Sequence, residues 1–196
     1  MNIAIRQGTL QDLDAVTMIE SICFPPAEGA TRDSLRDRLA AFTTSFLVAE
    51  LDGQLIGFIN GCITNQDTLT NDLYESTAKH DLAGENMMVF GLDVLPSYQH
   101  HGIAQQLMEE YIEVGKKLQK KHIILTCKER LIPFYEQFGY VCHGVSASTH
   151  GGVTWYDMVL VLGRPCGRWF AARSLRPCVG HRQCRCWREQ DPGRCR

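Results

Sequence analysis

Residues 87–118 read as one continuous piece of architecture. An apolar strand, Met87–Leu95, stops at Pro96, passes through a short turn containing Gly102, and enters an amphipathic helix running from Ile103 to about Leu118. Leu107, Tyr111, Val114 and Leu118 share one face of that helix at helical spacing. A strand that feeds a helix through a tight glycine turn gathers several free backbone N–H groups and the positive end of the helix dipole around one point, which suits a pyrophosphate. Gly102 removes the Cβ that would block close approach, and Ala104 keeps the first helical turn thin.

The flanking sequence supplies the rest of a mixed α/β chain. Ile3 and Ile5 alternate with polar neighbours as a strand does, and Thr9 with Asp12 caps a helix carrying Leu13, Val16 and Ile19. Phe24-Pro25-Pro26 makes a stiff break, after which Thr31 caps a second helix through Leu35 and Leu39. Residues 46–51 and 54–61 are β-rich runs joined by Asp52-Gly53, a hairpin turn. Residues 65–84 are polar, with Leu69, Leu73 and Tyr74 allowing one helical turn, and a loop this long inside a domain is more often functional than idle. A strand at His122–Cys127, a short helix at Leu131–Phe138 stopped by Gly139, and strands near residues 140–145 and 153–160 complete the order βααβββαβαββ.

Composition narrows the function classes. At 196 residues, 44% hydrophobic and 21% charged, the chain suits one sizeable domain. The net charge of −2 conceals a division at Gly163: residues 1–162 hold 11 Lys and Arg against 20 Asp and Glu, a net −9, while the last 34 hold 9 Arg against 2 acids, a net +7. An acidic body argues against nucleic acid as the main ligand. Without a basic-then-apolar leader or a membrane-length apolar run, a cytoplasmic protein is expected. Four scattered cysteines in the body, Cys23, Cys62, Cys127 and Cys142, read as reduced thiols, and no metal site is expected. The Arg- and Cys-rich tail, residues 163–196, reads as the product of a frameshift or read-through. A zinc knuckle at Cys178, His181, Cys184 and Cys186, and a basic nucleic-acid arm, are the weaker readings of that segment.

The turn itself, Gln99-His100-His101-Gly102-Ile103-Ala104, has the form Q-x-x-G-x-A. It lacks the Gly-Lys-Ser/Thr of a P-loop and the spacing of a dinucleotide fingerprint. In this order of elements it resembles the acetyl-CoA-binding motif of the GNAT superfamily of N-acetyltransferases. Cys23-Phe24-Pro25-Pro26-Ala27-Glu28, the Tyr98–Gly102 turn and the run Leu131-Ile132-Pro133-Phe134-Tyr135-Glu136-Gln137-Phe138-Gly139-Tyr140 resemble, more narrowly, the arylalkylamine (serotonin) N-acetyltransferase branch in its bacterial form. The likeness covers residues 3–161. It implies an α/β (α+β) fold with a mixed, mostly antiparallel seven-stranded sheet, splayed at its central parallel strands and flanked by about four helices.

The resemblance also implies a site. The diphosphate of acetyl-CoA would lie on the turn, at Gln99, His100, His101, Gly102, Ile103, Ala104 and Gln105, and its pantetheine arm along Leu92, Asp93 and Val94. Tyr135 matches the tyrosine that protonates the departing thiolate. The positions at which the branch carries its proton-relay histidines are here Met88 and Phe90, neither of which accepts a proton. Glu28, Glu85 and His150 are the substitutes by position, with Glu28 and His150 preferred; Phe24, Pro25 and Glu28 would contact the acceptor.

The expected activity is transfer of acetyl from acetyl-CoA to a small primary amine, aryl, alkyl or polyamine-like, by direct attack in a ternary complex. A non-catalytic acyl-CoA sensor, or a transferase acting on a protein N-terminus or lysine, is the alternative. A covalent route through Cys127 is a minor one. No nucleic-acid or membrane partner is expected, and monomer and homodimer stay open.

Overall fold

The computed structural model describes residues 3–163. Beyond Gly163, the tail to which the frameshift and zinc-knuckle readings apply lies outside the described residues. In chain order the elements are β1 (Ile3–Gln7), α1 (Leu13–Cys23), α2 (Arg32–Ala41), β2 (Phe46–Leu51), β3 (Gln54–Asn60), β4 (Ile63–Thr64), α3 (Asn71–Glu75), β5 (Asn86–Val89), β6 (Gly91–Val94), α4 (Ile103–Lys117), β7 (His122–Cys127), α5 (Ile132–Glu136), β8 (Val141–Val145) and β9 (Tyr156–Val161).

Local chemistry accounts for most of these boundaries. The Thr31 hydroxyl accepts a hydrogen bond from the Ser34 N–H (3.2 Å) at the start of α2. Asp52 and Gly53 both take positive φ, 51° and 81°, which gives the two-residue turn its primed geometry and sets Leu51 opposite Gln54. Before α1, the Asp12 carboxylate accepts from the Thr9 N–H (2.8 Å) and from the Arg6 guanidinium (2.8 and 2.9 Å). The polar segment 65–84 folds around Leu69 and Leu73, which are buried, and contributes α3. The one expected strand Met87–Leu95 is broken at Phe90 into β5 and β6. With the short β4, this makes nine strands among the described residues rather than seven.

The strands form two sheets, β1-β2-β3-β6 and β4-β5-β7-β9-β8, antiparallel except where β5 lies parallel to β7. One face packs under α4 through Leu107, Met108 and Tyr111; the other packs under α1 and α2 through Val16, Ile19, Leu35 and Leu39. The Tyr111 hydroxyl donates to the Met88 carbonyl (2.6 Å), and a Cβ on Gly61 would overlap that same carbonyl, so α4, β3 and β5 meet at close range. Among the described residues no helix is long and apolar enough to cross a membrane.

Candidate active site

The site begins where the sheet comes apart. β5 and β7 stay paired from Asn86↔His122 to Val89↔Leu125. Past that point β6 pairs only with β3, while Thr126 and Cys127 pair only with β9, so a wedge opens between the two strands. Along β6, Leu95 N–H donates to Ile56 C=O (2.9 Å). In an antiparallel ladder bonded and non-bonded pairs alternate, so Asp93 bonds back to β3, and Leu92 and Val94, opposite Ile59 and Gly57, turn their peptide groups toward the wedge.

At the end of β6 the chain turns into α4. Gln99 braces this turn by donating from Nε2 to the Val94 carbonyl (3.0 Å). His100 and Gly102 adopt left-handed backbone, φ 62° and 76°, and a Gly102 Cβ would stand in open space. No side chain caps Gly102, which leaves the N–H groups of the first helical turn, Ile103 to Gln105, pointing outward. The His100 and His101 side chains are exposed, with His101 Nδ1 2.7 Å from the Gln99 carbonyl. This is a cradle suited to an anion, beside strand peptides suited to an extended arm.

A cavity of about 370 Å³ continues the wedge toward α1 and α2. Phe24, Phe90, Leu125, Cys127 and Tyr135 contribute to its walls. Burial pushes the Tyr135 phenol well above its ordinary pKa, with Cys127 and Asp93 adding to the effect, so the hydroxyl keeps its proton. Burial likewise pushes the Cys127 thiol up to about 12. Met88 is fully buried, and Phe90 carries the Arg38 guanidinium 4.8 Å from its ring centroid.

Glu28 and His150 lie side by side at the cavity, and each is engaged. Lys128 Nζ lies 2.9 Å from Glu28 Oε1 and 2.8 Å from Oε2. His150 Nε2 is 2.9 Å from the Glu28 carbonyl, which can only accept; this nitrogen therefore carries a proton. The His150 ring stacks on Tyr74, centroids 4.9 Å apart. Glu85 stands apart, in an exposed ion pair with Lys121.

Three polar residues behind the cavity were not singled out by sequence as proton-handling groups. Glu20 on α1 is 5% exposed, Asp93 on β6 1%, and Asn60 on β3 0%. The Ala30 N–H donates to Glu20 Oε1 (2.6 Å), but Glu20 Oε2, both Asp93 oxygens and both Asn60 side-chain atoms have no hydrogen-bond partner among the described residues. Burial raises both acids' pKa values, and the Glu20 carboxylate beside it raises that of Asp93 further. Two signals were available: Glu20 follows Ile19 on the apolar stripe of α1, and Asp93 interrupts an otherwise apolar strand.

A splayed strand pair with an uncapped helix start beside it defines an acyl-CoA-type transferase fold. The chain belongs to the acetyltransferase (GNAT) family, which residues 13–140 match. Within it the chain is similar to the serotonin N-acetyltransferase of Mesocricetus auratus, 29% identical over 157 residues, covering 76% of this chain and 73% of that enzyme. The serotonin N-acetyltransferase of Macaca mulatta is 28% identical over 108 residues, 55% of this chain, and the chain spans only about half (52%) of that relative. These relatives support the serotonin-like branch. Among solved structures, the GphF GNAT-like decarboxylase in complex with isobutyryl-CoA superposes with a TM-score of 0.71 at 16% identity, over 81% of this chain and 98% of that one, and shares the fold.

Proposed function

We propose that this chain is an acetyl-CoA-dependent N-acetyltransferase that acetylates a small primary amine, aryl, alkyl or polyamine-like, by direct attack within a ternary complex. The observation that carries the reading is the splaying of β6 from β7, with the uncapped start of α4 at one end and a cavity lined by Leu92 and Tyr135 at the other. The complex of the GphF decarboxylase with isobutyryl-CoA supports a CoA thioester as the ligand of such a path.

On this reading the backbone from Gln99 and His100 through His101, Gly102, Ile103 and Ala104 to Gln105 holds the diphosphate, and Leu92 and Val94 bond the arm. The Val94 peptide N–H stands where it can stabilise charge on the acetyl oxygen. Tyr135 gives its proton to the thiolate as the C–S bond breaks; a phenol buried in its neutral form is suited to that step. Cys127 is not a nucleophile here, because at neutral pH a thiol with a pKa of about 12 stays protonated. Phe24 and Pro25 close the acceptor end, while Glu28, held by Lys128, and His150, held by the Glu28 carbonyl, line it and orient the amine. The protein is a cytoplasmic enzyme with residues 1–162 as its catalytic unit.

The apolar Met88 and Phe90 favour one other reading, an acyl-CoA-binding domain without turnover. Incubating the full chain with acetyl-CoA and a panel of arylalkylamines and polyamines, while following free CoA thiol, separates the two. Amine-dependent thiol release is expected. Tight acetyl-CoA binding with no release from any amine overturns the enzymatic reading.

A further inference from the structure

The strongest unexplained feature is the set of buried polar atoms behind the cavity. A lone unpaired carboxylate in such a place is costly, because it gives up its hydration and gains no partner in return. Here five buried side-chain atoms from three elements have no hydrogen-bond partner among the described residues: Glu20 Oε2 from α1, Asp93 Oδ1 and Oδ2 from β6, Asn60 Nδ2 and Oδ1 from β3. The floor above them is Gly91. A Cβ there would come within 3.1 Å of Asp93 Oδ2 and 3.4 Å of Asn60 Nδ2, so only the bare Gly91 backbone stands beside those atoms, and of the three side chains Glu20 alone lines the cavity.

We propose that Glu20 and Asp93 share a single proton and form the base that takes the proton of the incoming ammonium, with Glu20 at the cavity wall and Asp93 behind it. This rests on the amine-acetyltransferase reading above, and it assigns to α1 and β6 the task that Met88 and Phe90 cannot perform. Two adjacent carboxyls that cannot both ionise hold one proton between them and keep one negative charge, which attracts a cation and then accepts from it. Arg38 from α2, buried and donating to the Tyr74 carbonyl (3.1 Å), balances that charge without bonding either acid. The other titratable groups facing the pair are Cys23 on α1, whose thiol burial pushes up to about 12, His150 from the loop before β9, and Tyr135, which feels Asp93 across the cavity.

The protons balance. One N–H proton of the ammonium moves to the pair, freeing the nitrogen lone pair. The C–N bond forms, the C–S bond breaks, and the sulfur takes the Tyr135 proton. The second nitrogen proton, released as the amide forms, restores the phenol, and the proton on the pair leaves to water.

The test uses the full chain and the near-isosteric variants Glu20→Gln and Asp93→Asn, with folding followed by thermal melting. Infrared spectroscopy near neutral pH should show a protonated-carboxyl stretch in the wild type that each variant loses or alters. With tryptamine or spermidine as acceptor, kcat/KM of Glu20→Gln should fall about 100-fold near neutral pH. Its rate should then climb with pH toward the amine's own pKa, where solvent supplies free amine, while acetyl-CoA affinity stays within about twofold. A wild-type pH profile in both variants overturns the proposal, as does an equal loss at every pH, which marks a purely structural role. Absence of the protonated-carboxyl band overturns the shared proton. If the band is present but the wild type acetylates no amine, the acetyltransferase reading fails and the base role falls with it, while the shared proton stands.

Discussion

The phenol of Tyr135 is the residue on which the proposed chemistry turns. A group kept neutral by burial can donate only to something that becomes strongly basic, and a departing thiolate beside it is such an acceptor. Tyr135→Phe removes the proton and little volume. Its kcat should fall about 100-fold while acetyl-CoA binding, measured calorimetrically, is unchanged. Asp12 permits a different test. The Arg6 guanidinium and the Thr9 N–H hold its carboxyl down to about 2 from an ordinary 3.8. A depressed folded-state pKa stabilises above the unfolded value and is lost as pH falls through the folded one. Wild-type Tm should therefore decline between about pH 4 and 2, with a shallower decline in Asp12→Asn. Arg6 is partly exposed, so salt should weaken the effect.

At the scale of elements, the wedge between β6 and β7 depends on how tightly α4, β3 and β5 are drawn together just beneath it. Gly61 and Tyr111 make that approach possible, since both lie against the Met88 carbonyl. Gly61→Ala forces backbone apart rather than a flexible side chain, and should destabilise the fold by about 1–3 kcal/mol in denaturant melts. Acetyl-CoA binding should weaken in parallel if β5 and β6 shift together. The hairpin, the Thr31 cap and the strand-turn-helix at residues 87–118 were legible because each is written in adjacent residues: a dipeptide that tolerates positive φ, a hydroxyl three residues from the N–H it caps, an apolar period. The break at Phe90 was not, because a run of apolar residues reads the same whether or not it changes partners midway.

For the whole molecule, the charge division at Gly163 separates an acidic body from an arginine-rich tail. The described fold closes at its C-terminal side with Leu162, whose N–H donates to the Lys121 carbonyl (2.8 Å) and whose side chain is buried. A chain ending at Gly163 keeps that bond, and its Tm and acetyl transfer should match those of the full chain. A loss of more than about half the activity would make the tail part of the enzyme. The sequence by itself determined most of the order of elements and the glycine turn that opens α4, because periodicity, turn chemistry and a helix start are local properties of the chain; the role proposed for Tyr135 rests on the family resemblance. Only the tertiary structure decided the acceptor end. It tied Glu28 to Lys128 and set Glu20 from the first helix against Asp93 from the sixth strand beneath a bare Gly91. Such meetings depend on which faces pack and on where a sheet lets go, and what makes them consequential is burial, which changes how a carboxyl holds its proton only once the fold has closed around it.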